Sequence, residues 1–170
     1  MTPPPDSPAF DLARYQDPIA IQRVLHRART IAIVGLSRNE LRASFFVGYY
    51  LKRHGYRVIP VNPKYTEILG EKCYPALGAI PEKVEMVDVF RKTQDVPPIA
   101  EAAIAIGAKV LWQQLGVKNE AAAARARAAG LETVMDRCVK IEHARLFGGL
   151  NWVGVNTRVI SAKRPRWLAY

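Results

Sequence analysis

Five short apolar runs rich in β-branched residues recur along the chain, at residues 30–34, 57–61, 84–90, 108–113 and 131–135. No other feature constrains the fold as much. A run of that length is too short for a stable helix, and continuous apolarity suits a strand buried on both faces. Helix signals lie before and between the runs. Asp17-Pro18 reads as an N-cap and first helical position, and Ile21, Val24, Leu25 and Ala28 follow at helical spacing, which predicts a helix over 18–29. Ser44 is placed to cap a second helix carrying Phe45, Val47, Tyr49 and Leu51, with Gly55 where a left-handed C-terminal residue is expected. Pro97 and Pro98 open a third, with Ile99, Ala103 and Ile106 on one face and Gly107 at its end. Asn119 caps an alanine-rich fourth that stops at Gly130, and a short fifth covers 139–147 before Gly148-Gly149.

Strands alternating with helices imply an α/β fold, a parallel sheet covered on both faces in three layers. Right-handed crossovers leave few topologies, and the expected one is the doubly wound order 3-2-1-4-5. A chain of 170 residues is about one domain and can bury a core without metal or disulfide staples. Pro-rich residues 1–16 are expected to form a flexible arm, 17–149 the domain and 150–170 a C-terminal extension. In that extension Val153, Val155, Thr157 and Val159 alternate, which permits an edge strand, and Lys163-Arg164-Pro165-Arg166 reads as a basic tail.

Charge and cysteine usage narrow the class. Lysine and arginine exceed aspartate and glutamate by 25 − 15 = 10, which favours an anionic partner: nucleic acid, an acidic membrane surface or a phosphorylated small molecule. Cys73 and Cys138 cannot make a disulfide framework or a cysteine-rich zinc site, so a reducing, cytoplasmic setting is expected. No apolar run approaches the ~18 residues that span a bilayer, and Met1-Thr2-Pro3-Pro4-Pro5-Asp6 has neither the basic nor the apolar region of a secretory signal.

In a doubly wound sheet ligands bind beyond the carboxyl ends of the strands. Gly35-Leu36-Ser37 falls there, after the first strand, and the helix starting near Ser44 offers N–H groups and a positive dipole end. That is chemistry for a phosphate; the lesser reading is that Gly35 only ends a strand. Ser37 replaces the second glycine of G-x-G-x-x-G, and the loop is longer than the compact dinucleotide turn. The end of the second strand reads Pro60-Val61-Asn62-Pro63-Lys64-Tyr65. A NAD site wants a carboxylate there for the ribose hydroxyls, and this chain has a lysine instead. A cation suits a ribose bearing an extra phosphate, as in NADP and coenzyme A. Taken alone, Lys64 is also an ordinary solvated loop lysine.

Several strings together resemble the single-domain coenzyme A-binding protein family, related to the coenzyme A-binding domain of the succinyl-CoA synthetase alpha subunit. They include Ile31-Ala32-Ile33-Val34-Gly35-Leu36-Ser37, His54-Gly55-Tyr56-Arg57-Val58-Ile59-Pro60-Val61-Asn62-Pro63-Lys64-Tyr65 and Leu69-Gly70-Glu71-Lys72-Cys73-Tyr74-Pro75. Val87-Asp88-Val89-Phe90-Arg91, Gly107-Ala108-Lys109-Val110-Leu111-Trp112-Gln113-Gln114 and Met135-Asp136-Arg137-Cys138 continue the series, so that the resemblance covers about residues 18–147. It implies a Rossmann-like domain binding coenzyme A or an acyl-CoA across the carboxyl edge of the sheet. By matching position, Gly35, Leu36, Ser37, Arg42 and Ser44 would line the phosphates, and Asn62, Pro63, Lys64 and Tyr65 would meet the adenosine and its 3′-phosphate. Phe90, Arg91 and Ile99 would flank the adenine or the pantetheine arm, with Trp112, Gln113 and Gly116 on the far side. Core packing is an equal expectation for Phe90 and Trp112. The synthetase subunit also carries a phosphorylated histidine in a glycine-rich loop of a second domain. His26, His54 and His143 lie in no such loop, so ligase chemistry does not carry over.

Other chemistry is weakly signalled. Three scattered histidines and two distant cysteines have no metal-ligand spacing, and no Gly-x-Ser-x-Gly elbow occurs. Glu142 and His143 are adjacent on a helix and point apart, while Asp88 and Asp136 at strand ends are expected to cap loops or pair with arginines. Cys138 is expected at the carboxyl edge, where Arg137 and Lys140 could lower its pKa and a mixed disulfide with coenzyme A could form. A small NADP- or CoA-dependent enzyme is the second reading. A nucleic-acid-binding protein is the third and is not favoured, because no recognition helix or basic heptad region is present.

Overall fold

The computed structural model describes residues 11–147. Its centre is a five-stranded parallel sheet built from β1 (Thr30–Val34), β2 (Arg57–Val61), β5 (Met86–Val89), β6 (Val110–Gln113) and β7 (Glu132–Val134). The helices are α1 (Pro18–Arg27), α2 (Ala43–Arg53), α3 (Val96–Ala105), α4 (Glu120–Ala128) and α5 (Val139–Phe147). A two-stranded hairpin, β3 (Glu67–Ile68) with β4 (Glu71–Lys72), follows β2. The expected caps form: Asp17 accepts from the N–H groups of Ile19 and Ala20, and Asn119 from Ala122.

Alternate residues of each strand face opposite layers. Ile31, Ile33, Val58, Met86, Val110 and Trp112 pack against Ile21, Val24 and Leu25 of α1, Val47 and Leu51 of α2, and Val139 of α5. Ala32, Ile59, Val87, Val89 and Leu111 face α3 and α4, where alanines such as Ala100, Ala103, Ala122 and Ala126 allow close approach. The three-layer, Rossmann-like α/β architecture is therefore the observed one.

The strand order departs from the expected 3-2-1-4-5. It runs β2-β1-β5-β6-β7, which in the count of sheet strands is 2-1-3-4-5. The run at 84–90 pairs with β1, Ile31 opposite Met86 and Ile33 opposite Asp88. The outer edge of β2 is already occupied. Tyr74 donates its N–H to Pro60 O at 3.0 Å and accepts from Asn62 N at 2.9 Å, a single parallel bridge. The doubly wound arrangement survives with its outermost strand reduced to one residue, too short to leave an apolar run in the sequence.

The arm expected over residues 1–16 is corrected at its end. Leu12–Tyr15 is a 3-10 helix that buries Tyr15, and Tyr15 O accepts from Met135 N at 3.2 Å. Gln16 bonds Met135 O through Nε2 at 3.1 Å and accepts from Arg137 Nη2 at 2.9 Å. The domain's packing thus begins before residue 17. The rest of the proposed arm, Gly148-Gly149, the candidate edge strand and the basic tail lie outside the described residues.

Candidate functional site

β1 ends in Gly35, whose φ is +88° and whose N–H donates to Val61 O at 2.9 Å. A Cβ there would lie 2.4 Å from Phe90 O, so the turn requires glycine both for its dihedral and for the close approach. Leu36 then points into the core and is fully buried, leaving only its backbone toward the edge. Its carbonyl accepts from Asn62 Nδ2 at 2.9 Å.

The expected cap at Ser44 is corrected. α2 begins at Ala43, two residues earlier than a Ser44 cap implies, with Arg42 at the N-cap and no side-chain capping bond. Ser44 Oγ instead accepts from Ser37 N at 3.1 Å, and Ser37 Oγ accepts from Asn39 N at 3.0 Å. Ser37 N–H is thereby committed inside the protein, while the head of α2 keeps its positive dipole end beside the loop. Arg42 is exposed at that head.

The second loop sits against the first. Asn62 brackets them, donating to Leu36 O and accepting from Lys64 N at 3.0 Å through Oδ1. Pro63 and Lys64 are exposed and Tyr65 is half-buried. A cleft of about 620 Å³ opens between the loops, lined among others by Arg38, Glu40, Phe45, Lys64, Tyr65 and Leu69. Lys64 and Tyr65 were expected at the site. Arg38 was missed, although its place directly after Ser37 in the loop was a usable signal.

The remaining candidates separate. Phe90 is half-buried on the face of α1, α2 and α5, and Ile99 on the opposite face, so the two flank the sheet edge from different sides. Arg91 is exposed, 3.3 Å from Asp95 Oδ2. Trp112 and Gln113 do not reach the protein surface. Both are fully buried; Trp112 Nε1 donates to Arg137 O at 2.7 Å, and Gln113 pairs twice with the Asn119 backbone, at 2.7 and 2.9 Å. Gly116 is exposed, its N–H donating to Asp136 Oδ1 at 2.7 Å.

Two titratable groups depart from expectation. Asp136 does hold a loop, through Gly116 N and Lys118 Nζ, the latter at 3.3 Å. Asp88 is instead fully buried on β5, bonded at Oδ1 by Gln114 Nε2 at 2.8 Å, with Oδ2 unpartnered. Burial pushes its carboxyl up to about 8. Cys138 is half-buried, and burial raises its thiol, opposing the lowering expected from Arg137 and Lys140. Arg137 is turned to Gln16 and Glu142. Glu142 and His143 point apart as adjacent helical residues should. Glu142 meets Arg137 and Arg145, and His143 Nδ1 lies 2.9 Å from the Tyr50 hydroxyl. Burial, with His54 nearby, lowers His143 to about 4.

Among the described residues no three histidine, cysteine or acidic side chains gather as a metal site, and no helix is long and apolar enough to cross a membrane.

Comparison with known proteins places this geometry in a lineage. The uncharacterized protein YneT of Bacillus subtilis is 38% identical over 124 residues, 73% of this chain and 92% of that one. The ADP-forming acetate–CoA ligase II of Archaeoglobus fulgidus is 33% identical over 93 residues, 53% of this chain but only 14% of the ligase. Among solved structures, a hypothetical protein from Pyrococcus horikoshii matches with a TM-score of 0.78 at 42% identity, over 84% of this chain and all of the other. A Thermus thermophilus protein matches with a TM-score of 0.73 at 32% identity, over 77% and 99%. The model of the CoA binding domain matches residues 29–144, from the start of β1 to the middle of α5, and the chain belongs to that family.

Proposed function

We propose that the chain binds coenzyme A or an acyl-CoA at the carboxyl edge of its sheet and has no ligase activity of its own. One observation carries this reading. The cleft beside the head of α2 holds Arg38 and Lys64, and the end of β2 offers Asn62 where a NAD site needs a carboxylate. Two cations suit a phosphorylated ribose, the open head of α2 suits a diphosphate, and the family match supports coenzyme A over NADP. The ligases that resemble this chain are several times longer, and the alignment covers a small part of them. His26 lies on α1, His54 ends α2 and His143 is packed on α5, so none stands in a glycine-rich loop ready for phosphorylation. Both cysteines are free thiols, which supports a reducing cytoplasmic compartment.

The test is thermal shift of the full chain with coenzyme A, NADP, NAD and ATP at equal concentration. Coenzyme A is expected to raise Tm most. A larger rise with NAD or NADP overturns the reading in favour of a dinucleotide-binding protein.

A further inference from the structure

α2 carries apolar side chains on both of its sides. Ser44, Val47, Gly48 and Leu51 are buried on the inner one. Arg42, Phe46, Tyr49 and Arg53 follow at i, i+4, i+7 and i+11 and form one stripe along the outer one. Phe46 keeps 59% of its surface exposed, Tyr49 49%, and Leu41, just before the N-cap, 94%. Of the five large apolar side chains exposed among the described residues, these three fall within one stretch of nine. A single exposed leucine is ordinary, whereas a cluster of this kind marks a contact surface. Leu41 and Phe46 also hold the two positions that pack together as a staple at many helix starts. At 94% exposure Leu41 makes no such packing, and both side chains face outward.

The charges on this face are positive. α2 has no acidic residue, and none occurs from Leu41 to Thr66. The Arg53 guanidinium carbon lies 5.9 Å from the Tyr49 ring centre, and Lys140, in the first turn of α5, sets its ammonium 5.3 Å from that of Phe46. Glu142, two residues on, is buried against Arg137 and Arg145 and does not neutralise them. Glu40, beside Leu41, lines the cleft. The occupant of this face must therefore be anionic and must also accept apolar side chains.

We propose that the outer face of α2, with Leu41 and the head of α5, docks the protein on an anionic lipid surface. A second copy of the chain is disfavoured, because a two-fold contact through this face would set Arg42, Arg53 and Lys140 against like charges. A nucleic acid would engage the cations and the rings but leave Leu41 in water. A bilayer with anionic headgroups uses all three kinds of side chain. The aliphatic group enters the acyl region, the rings lie at the interface, and the cations meet the headgroups. The contact is peripheral, since α2 has only 11 residues. Phe45, next to Phe46, lines the cleft, so docking sets the cleft beside the membrane. The proposal is independent of which nucleotide the cleft holds.

The experiment is co-sedimentation of the full chain with vesicles of phosphatidylcholine alone or of phosphatidylcholine and phosphatidylglycerol in equal parts. Binding to the anionic vesicles is expected to be at least about tenfold tighter than to the neutral ones, each cation near the surface adding to it. It should weaken at least about tenfold between about 0.1 M and about 1 M salt, as the Debye length falls from about 10 Å to about 3 Å. Leu41→Asp, Phe46→Ala and Arg53→Glu should each weaken it about tenfold. All three side chains are exposed, so the variants should keep the wild-type Tm. No binding to the anionic vesicles, or equal binding to both kinds, overturns the proposal. Binding that all three variants retain puts the contact elsewhere on the chain and overturns it too. Loss in Arg53→Glu alone reduces the contact to charge and overturns docking through the apolar face. Fluorescence anisotropy with a labelled single-stranded oligonucleotide tests the competing occupant. Oligonucleotide binding that Leu41→Asp and Phe46→Ala abolish, without vesicle binding by the wild type, assigns the face to nucleic acid instead.

Discussion

Gly35 lies directly against the carbonyl of Phe90: a Cβ on Gly35 would stand 2.4 Å from that oxygen, and the next atom in its way is Arg91 Cδ at 2.9 Å. The contact joins the ends of β1 and β5, two neighbouring strands of the sheet, at the point where the candidate site begins. Gly35→Ala must either move this backbone or break the N–H bond to Val61. A non-glycine residue in the left-handed region costs about 1–2 kcal/mol before the clash is added. Urea denaturation should show a loss above about 2 kcal/mol, with weaker coenzyme A binding in the fraction that folds. Unchanged stability would mean the turn is softer than its packing implies.

Lys64 is exposed in the cleft and free to meet a phosphate on the ribose. Dephospho-coenzyme A should bind about tenfold more weakly than coenzyme A, one decade being 1.4 kcal/mol. Lys64→Ala should abolish most of the difference. Isothermal titration of both ligands to both proteins measures it. Equal wild-type affinities would remove the phosphate-reading role and leave Lys64 a solvated lysine.

Trp112 bears on the fold and not on the ligand. Its indole N–H supports Arg137 O from a fully buried position. Trp112→Phe removes that donor and should cost about 1–3 kcal/mol in chemical denaturation, the cost of leaving a buried acceptor unpaired. Coenzyme A affinity should stay within about twofold of the wild type, since 0.4 kcal/mol is the most such a remote change should transmit. A selective loss of affinity at full stability would return Trp112 to the binding surface.

Two buried groups set opposed pH dependences. Asp88 holds its proton in the folded chain up to about pH 8, against 3.8 as its ordinary value, so unfolding releases a proton across that window and stability falls as pH rises. His143 ionises in the fold only near pH 4 instead of 6.5, so unfolding takes up a proton there and stability falls as pH drops. Each slope reaches at most about 1.4 kcal/mol per pH unit, and between pH 4 and 6.5 they cancel. Asp88→Asn should therefore gain on the wild type as pH rises toward 8, and His143→Gln should gain on it as pH falls toward 4. Stability differences that stay flat across both windows would contradict the burial of these groups.

Much of the domain was legible because its signals are local. Asp17 and Asn119 cap helices through N–H groups two or three residues away, and the runs at 30–34 and 57–61 become strands with the bounds their apolar content suggests. Local chemistry also marked Gly35, Asn62 and Lys64, since a turn glycine and a loop cation need no distant partner to be recognised. Contacts far apart in sequence decided the rest. The strand order turned on Tyr74 pairing with Pro60 and Asn62, a bridge of one residue with no periodicity to detect. Ser44 suits a helix cap by residue type, yet its oxygen went to Ser37 once the loop folded back. Trp112, Gln113 and Asp88 stand in the same apolar strands whether they face ligand or core. Their burial is decided by the Arg137 segment, the Asn119 loop and Gln114 closing over them, and strand periodicity carries no information about what packs on top of a strand.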